Sequence, residues 1–178
     1  MCIRWGRLRP LLTSIFLVCV AVPAGAVDWS ELRPHLTFNL ASHHAGATQR
    51  YNEKNTGLGF GLNVPSDSGN WRYGVELGWY RNSNYQTSAY AVATTDRRVA
   101  SLAASTDLSV GLVAGLAHYH GGAEGFGKKG IPTLGDWILA GGGSVSIRHN
   151  DRTELRMGIH PAPDIADVLL TFQIRVNL

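Results

Sequence analysis

From His35 to the C-terminus, large apolar residues alternate with polar or small ones in segments of about ten residues, the period of a β-strand with two unlike faces. Leu36, Phe38 and Leu40 oppose His35, Thr37 and Asn39 in a first strand, followed by a loop over 41–50. Leu58, Phe60 and Leu62 oppose Gly59, Gly61 and Asn63 in a second. The third sets Trp71, Tyr73, Val75, Leu77 and Trp79 against Arg72, Gly74, Glu76, Gly78 and Tyr80. A fourth, over 85–94, is rich in tyrosine, threonine and valine, residues that favour a pleated surface. Leu108 to Ala117 makes a fifth, and 118–130, with its glycines, charges and histidines, reads as a long exposed loop. A sixth strand covers 136–148 and a seventh Leu155 to Ile159, before His160-Pro161-Ala162-Pro163 interrupts the ladder. The eighth, from Val168 to Leu178, keeps strict alternation.

Arg72, Glu76, Glu154, Arg156, Gln173 and Arg175 all fall on the face opposite the large apolar residues. A water-soluble barrel buries its apolar face and exposes its charges. An even set of strands with apolar residues outside and polar ones inside is the pattern of a transmembrane barrel, and closure removes the unpaired edges of a sheet. The predicted fold is therefore all-β, an eight-stranded antiparallel transmembrane β-barrel. Trp71, Trp79 and Trp137 stand near strand ends, as aromatic residues do at membrane interfaces.

The N-terminus changes the reading of charge and cysteine. Arg4, Arg7 and Arg9 precede the apolar run Leu11 to Val22, and Ala24-Gly25-Ala26 supplies small residues for cleavage, so residues 1–26 read as a signal peptide removed after Ala26. Residues 27–178 then form one barrel domain in the outer membrane of a Gram-negative cell. The chain holds 16 Lys plus Arg against 13 Asp plus Glu, and three of those arginines leave with the leader, so the mature charge is zero. The basic pI is thus no argument for nucleic acid. Cys2 and Cys19 also leave, and no disulfide framework remains.

The candidate chemistry clusters between 43 and 83. His43 and His44 lie in the first long loop, Arg50-Tyr51-Asn52-Glu53 closes it, and Tyr80-Arg81-Asn82-Ser83 ends the third strand. A serine hydroxyl attacks an ester when a base takes its proton, and histidine suits that role near neutrality. An asparagine can orient the imidazole by hydrogen bonding. His118, His120 and Glu124 invite a zinc reading but offer no fourth ligand, and an ordinary polar loop is the preferred reading. Gly57, Gly59 and Gly61 are not a phosphate loop, because neither a helix start nor a lysine follows them. These inward glycines either leave room for an acyl chain or ease strand curvature.

Arg50-Tyr51-Asn52-Glu53, Gly57-Leu58-Gly59-Phe60-Gly61, Gly69-Asn70-Trp71 and Tyr80-Arg81-Asn82-Ser83 resemble, in order and nearly in spacing, the lipid A palmitoyltransferase (PagP) family. The resemblance implies an eight-stranded outer-membrane barrel whose interior accepts a phospholipid acyl chain, with a histidine, an aspartate and a serine on the outer loops. The family's Asp-Ser pair falls on Asn82-Ser83, so the serine is matched and the acid is replaced by an amide. His44 is the first choice for the histidine and His43 the second, while Arg50, Tyr51, Asn52 and Glu53 are expected to bind substrate. The implied partners are membrane phospholipid and lipopolysaccharide, with no cofactor or metal and with a monomer as the expected state. The alternatives are a non-catalytic lipid-binding or structural barrel, and a lipid acyl hydrolase using water as acceptor.

Overall fold

The computed structural model describes residues 29–120, 122–128, 130–162 and 166–178. The leader and its expected cleavage site lie outside the described residues, as does Pro163. The strands are β1 (Arg33–Ala45), β2 (Gly57–Pro65), β3 (Trp71–Arg81), β4 (Thr87–Ala103), β5 (Thr106–His118), β6 (Thr133–Leu134), β7 (Trp137–His149), β8 (Thr153–Pro161) and β9 (Val168–Asn177). Each pairs antiparallel with its sequence neighbour, except that β5 pairs with β7 and β1 closes on β9. The two-residue β6 is a flap on β7. The result is an eight-stranded antiparallel barrel.

Its polarity is reversed relative to a water-soluble protein. On β3, Val75 and Leu77 are 57% and 61% exposed, whereas Glu76 between them is 4% exposed. Phe38, Phe60, Val110, Leu116, Ile147 and Leu155 extend the apolar exterior around the wall. Arg72, Arg156 and Arg175 point inward with Glu76, Asp96 and Glu154, three charges of each sign. Arg156 Nη2 lies 2.6 Å from both Asp96 carboxylate oxygens, and Arg72 bridges Asp96 to Glu154. Glu76 accepts from Arg175 Nη2 at 2.6 Å, Tyr90 at 2.6 Å and Thr37 at 2.8 Å, and meets His35 Nε2 at 3.1 Å. Ionised groups withdrawn from water hold together only through such pairing. An apolar exterior around this ionic interior makes the chain a transmembrane barrel.

The inward glycines have a role other than either sequence expectation. A Cβ on Gly61 would lie 2.3 Å from the His35 ring, and one on Gly59 would lie 2.5 Å from the Tyr90 hydroxyl. Gly78 leaves room for the same tyrosine. These positions are bare so that β1 and β4 can aim two large polar rings at Glu76.

Several boundaries differ from the sequence reading. β1 continues to Ala45, because the pairing with β9 runs on through His43↔Leu170 and His44↔Leu169 after a bulge at Leu40. Both histidines therefore stand on a strand and not in a loop. β4 extends to Ala103, which brings Asp96 inward. The stretch after β5 is no open loop. Helix α1 (Ala123–Lys128) buries Ala123 and Phe126 against Tyr90, Ala117, Tyr119 and Ile138. His160 and Pro161 do not interrupt β8, since they pair with Leu169 and Val168. The β7–β8 ladder does stop at Gly143↔Ile159, and beyond it His160 Nδ1 lies 3.3 Å from the Gly141 carbonyl oxygen.

The termini of the barrel share one end with the short turns 66–70, 104–105 and 150–152. The other end carries 46–56, 82–86, the described residues between β5 and β7, and those that follow β8. In transmembrane barrels the short turns face the periplasm and the long loops face outward. The candidate residues sit at the long-loop end.

Candidate functional site

The bulge at Leu40 decides which histidine enters the barrel. Before it, His35, Thr37 and Asn39 point inward; the extra residue shifts the phase, so Ser42 and His44 point inward and His43 points out. His43 is exposed and meets Glu53 Oε1 at 3.0 Å. His44 is buried, and its Nε2 lies 2.7 Å from Ser83 Oγ. The Tyr51 ring stacks on the imidazole at 4.8 Å between centroids and an interplanar angle of 28°. The structure thus brings together the first-choice histidine and the serine, with Tyr51 fixing the ring plane.

Asn82 has a different job from the orienting one expected of it. It is fully buried, and its Oδ1 accepts from the Asn84 and Gln86 backbone N–H groups at 2.9 and 3.0 Å. Its Nδ2 donates to Ser88 Oγ at 3.0 Å. This is an asparagine-built turn, in which the side chain replaces backbone partners. Asn82 sets the conformation of the 82–86 loop that carries Ser83 and makes no hydrogen bond to the imidazole. His44 Nδ1 is buried without a hydrogen-bond partner among the described residues.

Asn52 locks the two loops together. Its N–H donates to the Ser83 carbonyl oxygen at 3.0 Å, and its Nδ2 donates to the Asn82 carbonyl oxygen at 3.1 Å. Asn55 Nδ2 adds a bond to the Arg81 carbonyl oxygen at 2.8 Å. Glu53 Oε1 accepts weakly from the His44 backbone N–H at 3.4 Å. Of the four residues expected to bind substrate, Asn52 also ties the loops together and Tyr51 supports the imidazole, and all four border one cleft. Arg50 is on the surface. With Tyr51, Asn52, Glu53, Lys54 and Tyr85 it lines a cleft of about 620 Å³ that reaches His44.

Glu124 pairs with Lys128 at 2.9 Å, and His120 Nδ1 lies 3.3 Å from Asp136. Among the described residues no group of three His, Cys, Asp or Glu side chains is arranged to hold a metal ion.

No protein-family model and no curated protein matches the chain. Among solved structures, Neisserial surface protein A (NspA) is similar, with a TM-score of 0.44 at 10% identity over 83% of this chain and 96% of that one.

One residue of the site escaped the sequence reading. Tyr119 follows directly on β5, is 6% exposed, and sets its hydroxyl beside Ser83 without a hydrogen bond of good geometry. Its ring packs edge-on against Phe126 at 5.4 Å. The signal was available in the alternation, because Tyr119 continues the inward phase of Ala117; the flanking His118 and His120 drew the segment toward a loop reading instead.

Proposed function

We propose that the chain is an outer-membrane enzyme that moves a fatty acyl chain from a membrane phospholipid to lipid A or a related lipid, as the PagP resemblance implies. The contact between His44 Nε2 and Ser83 Oγ carries the reading. Neutral imidazole accepts the serine proton as Oγ attacks the acyl ester carbonyl. The tetrahedral intermediate collapses, the C–O bond to the lysophospholipid breaks, and the departing oxygen takes the proton from His44. A hydroxyl of the acceptor lipid then attacks the acyl-serine ester, with His44 again taking and returning a proton.

Three features support this reading beyond the pair itself. The cleft that reaches His44 carries Arg50 and Lys54, which suit the phosphate of a lipid headgroup. The ladder between β7 and β8 ends early at the same end of the barrel, leaving a stretch of wall with few backbone bonds to break for a lipid tail. The apolar exterior, with the pair at its long-loop end, supports access to lipids of the outer leaflet. A monomer is sufficient, since every barrel strand is paired on both sides.

A non-catalytic lipid-binding or structural barrel is the second reading, favoured by His44 Nδ1. A base that gains a proton without a carboxylate behind it gains less stabilisation than one that has it. The test is purified protein in detergent with dipalmitoyl phosphatidylcholine as donor and lipid A as acceptor. Release of lysophospholipid with acylation of lipid A, abolished by Ser83→Ala, supports transfer; release without acylation of lipid A identifies a hydrolase. Absence of both, in folded protein, supports the second reading.

A further inference from the structure

A serine that attacks an ester needs a donor for the negative charge that develops on the carbonyl oxygen, within hydrogen-bond distance of that atom. In many serine enzymes the donors are backbone N–H groups next to the nucleophile. Here those of the three residues that follow Ser83 are already used. The N–H groups of Asn84 and Gln86 donate to Asn82 Oδ1, and that of Tyr85 donates to the Asn82 carbonyl oxygen. Asn52 Nδ2 is likewise engaged with backbone oxygens.

Tyr119 is in the opposite condition. Its hydroxyl is buried, lies beside Ser83, and has no hydrogen-bond partner among the described residues. Buried hydroxyls are normally paired, and one aimed at a nucleophile without a partner points to a group supplied by a ligand. The ring cannot readily turn away. Phe126 packs edge-on against it, a Cβ on Gly122 would lie 2.4 Å from it, and its backbone N–H is tied to the Asp136 carbonyl oxygen at 2.7 Å. Helix α1 therefore acts as a brace for this one side chain.

We propose that Tyr119 donates the hydrogen bond that stabilises the oxyanion formed when Ser83 attacks an acyl ester carbonyl; the assignment rests on the acyl-transfer reading. The phenol stays protonated throughout, as no proton leaves it in either half of the reaction. Burial raises its pKa above the usual tyrosine range and so keeps it a donor at neutral pH.

The test compares wild type, Tyr119→Phe and a protein with 3-fluorotyrosine at 119, each in detergent with dipalmitoyl phosphatidylcholine and lipid A. Folding is checked by the electrophoretic shift of the heated barrel. Tyr119→Phe keeps the ring packing and is expected to lower kcat by about 100-fold or more, with KM changed by less than about 3-fold. The fluorinated ring, a stronger donor of nearly the same size, is expected to move kcat upward, which a hydroxyl with a merely structural role would not do. Turnover in wild type with kcat unchanged in both variants overturns the role of Tyr119 and leaves acyl transfer standing. A wild type with neither turnover nor fluorophosphonate labelling at Ser83 overturns both.

Discussion

Replacing Glu76 with leucine removes the central acceptor of the barrel interior, and the structure gives the size of the effect. Arg175 is 2% exposed and loses its 2.6 Å partner; what remains is Glu154 Oε1 at 3.8 Å. Breaking a buried ion pair from one side costs about 3–5 kcal/mol, and the residual Glu154 contact pulls this loss to the lower end, about 3 kcal/mol. Tyr90, Thr37 and His35 also lose their partner, at about 1 kcal/mol each, so the total is about 6 kcal/mol. Urea unfolding of the refolded barrel, followed by tryptophan fluorescence, reads this directly. Arg175→Met alone is expected to cost about 3 kcal/mol, because it leaves Glu76 buried with neutral donors only. Combining Glu76→Leu with Arg175→Met removes both charges, and the double variant is expected to be at least about 3 kcal/mol more stable than the sum of the single effects. Strict additivity, or a Glu76→Leu loss below about 1 kcal/mol, would refute the buried ionic interior.

Other positions test other parts of the account. Leu77→Arg, at the middle of β3 on the exterior, is expected to cost about 2–4 kcal/mol in a bilayer; no loss of stability there would argue for a water-soluble barrel. Gly61→Ala forces a Cβ to 2.3 Å from the His35 ring and is expected to cost about 1–3 kcal/mol, read as a lower urea midpoint. Asn82→Asp keeps the acceptor for the 84 and 86 N–H groups and does not reach His44, so acyl transfer should stay within about 3-fold of wild type. Asn82→Ala loses the turn and should lower transfer by about 10-fold or more, at a cost of about 1–2 kcal/mol in holding the loop. A large gain in Asn82→Asp would instead show that residue 82 acts on the imidazole.

Much of this architecture follows from simple alternation, since side-chain direction in a strand has a period of two. Leu36 and Phe38 face out, and Arg72, Glu76, Glu154, Arg156 and Arg175 face in, as the pattern predicts. Alternation fails where the chain adds a residue. The bulge at Leu40 reverses the phase of β1, and only the pairing with β9 shows that His44 rather than His43 turns inward. Glycines are equally ambiguous in sequence, because what fills the space above Gly59 and Gly61 comes from β4 and from β1. The Asn82-Ser83 pair was visible as a motif, but the part played by its asparagine depended on backbone groups at 84 and 86. Tyr119 was hidden for a related reason. Its neighbours are Phe126, on a short helix, and Ser83, in the loop between β3 and β4, and neither proximity leaves a trace in the local pattern.

The most direct test of acyl transfer by the Ser83 and His44 pair is lipid mass spectrometry of cells producing the protein, beside cells producing Ser83→Ala and His44→Ala at equal levels in the outer membrane. An added acyl chain on lipid A or a related lipid is expected in the wild type, with its loss in both variants. Identical lipid profiles in all three strains would contradict it and leave a barrel that binds lipid or strengthens the membrane without chemistry.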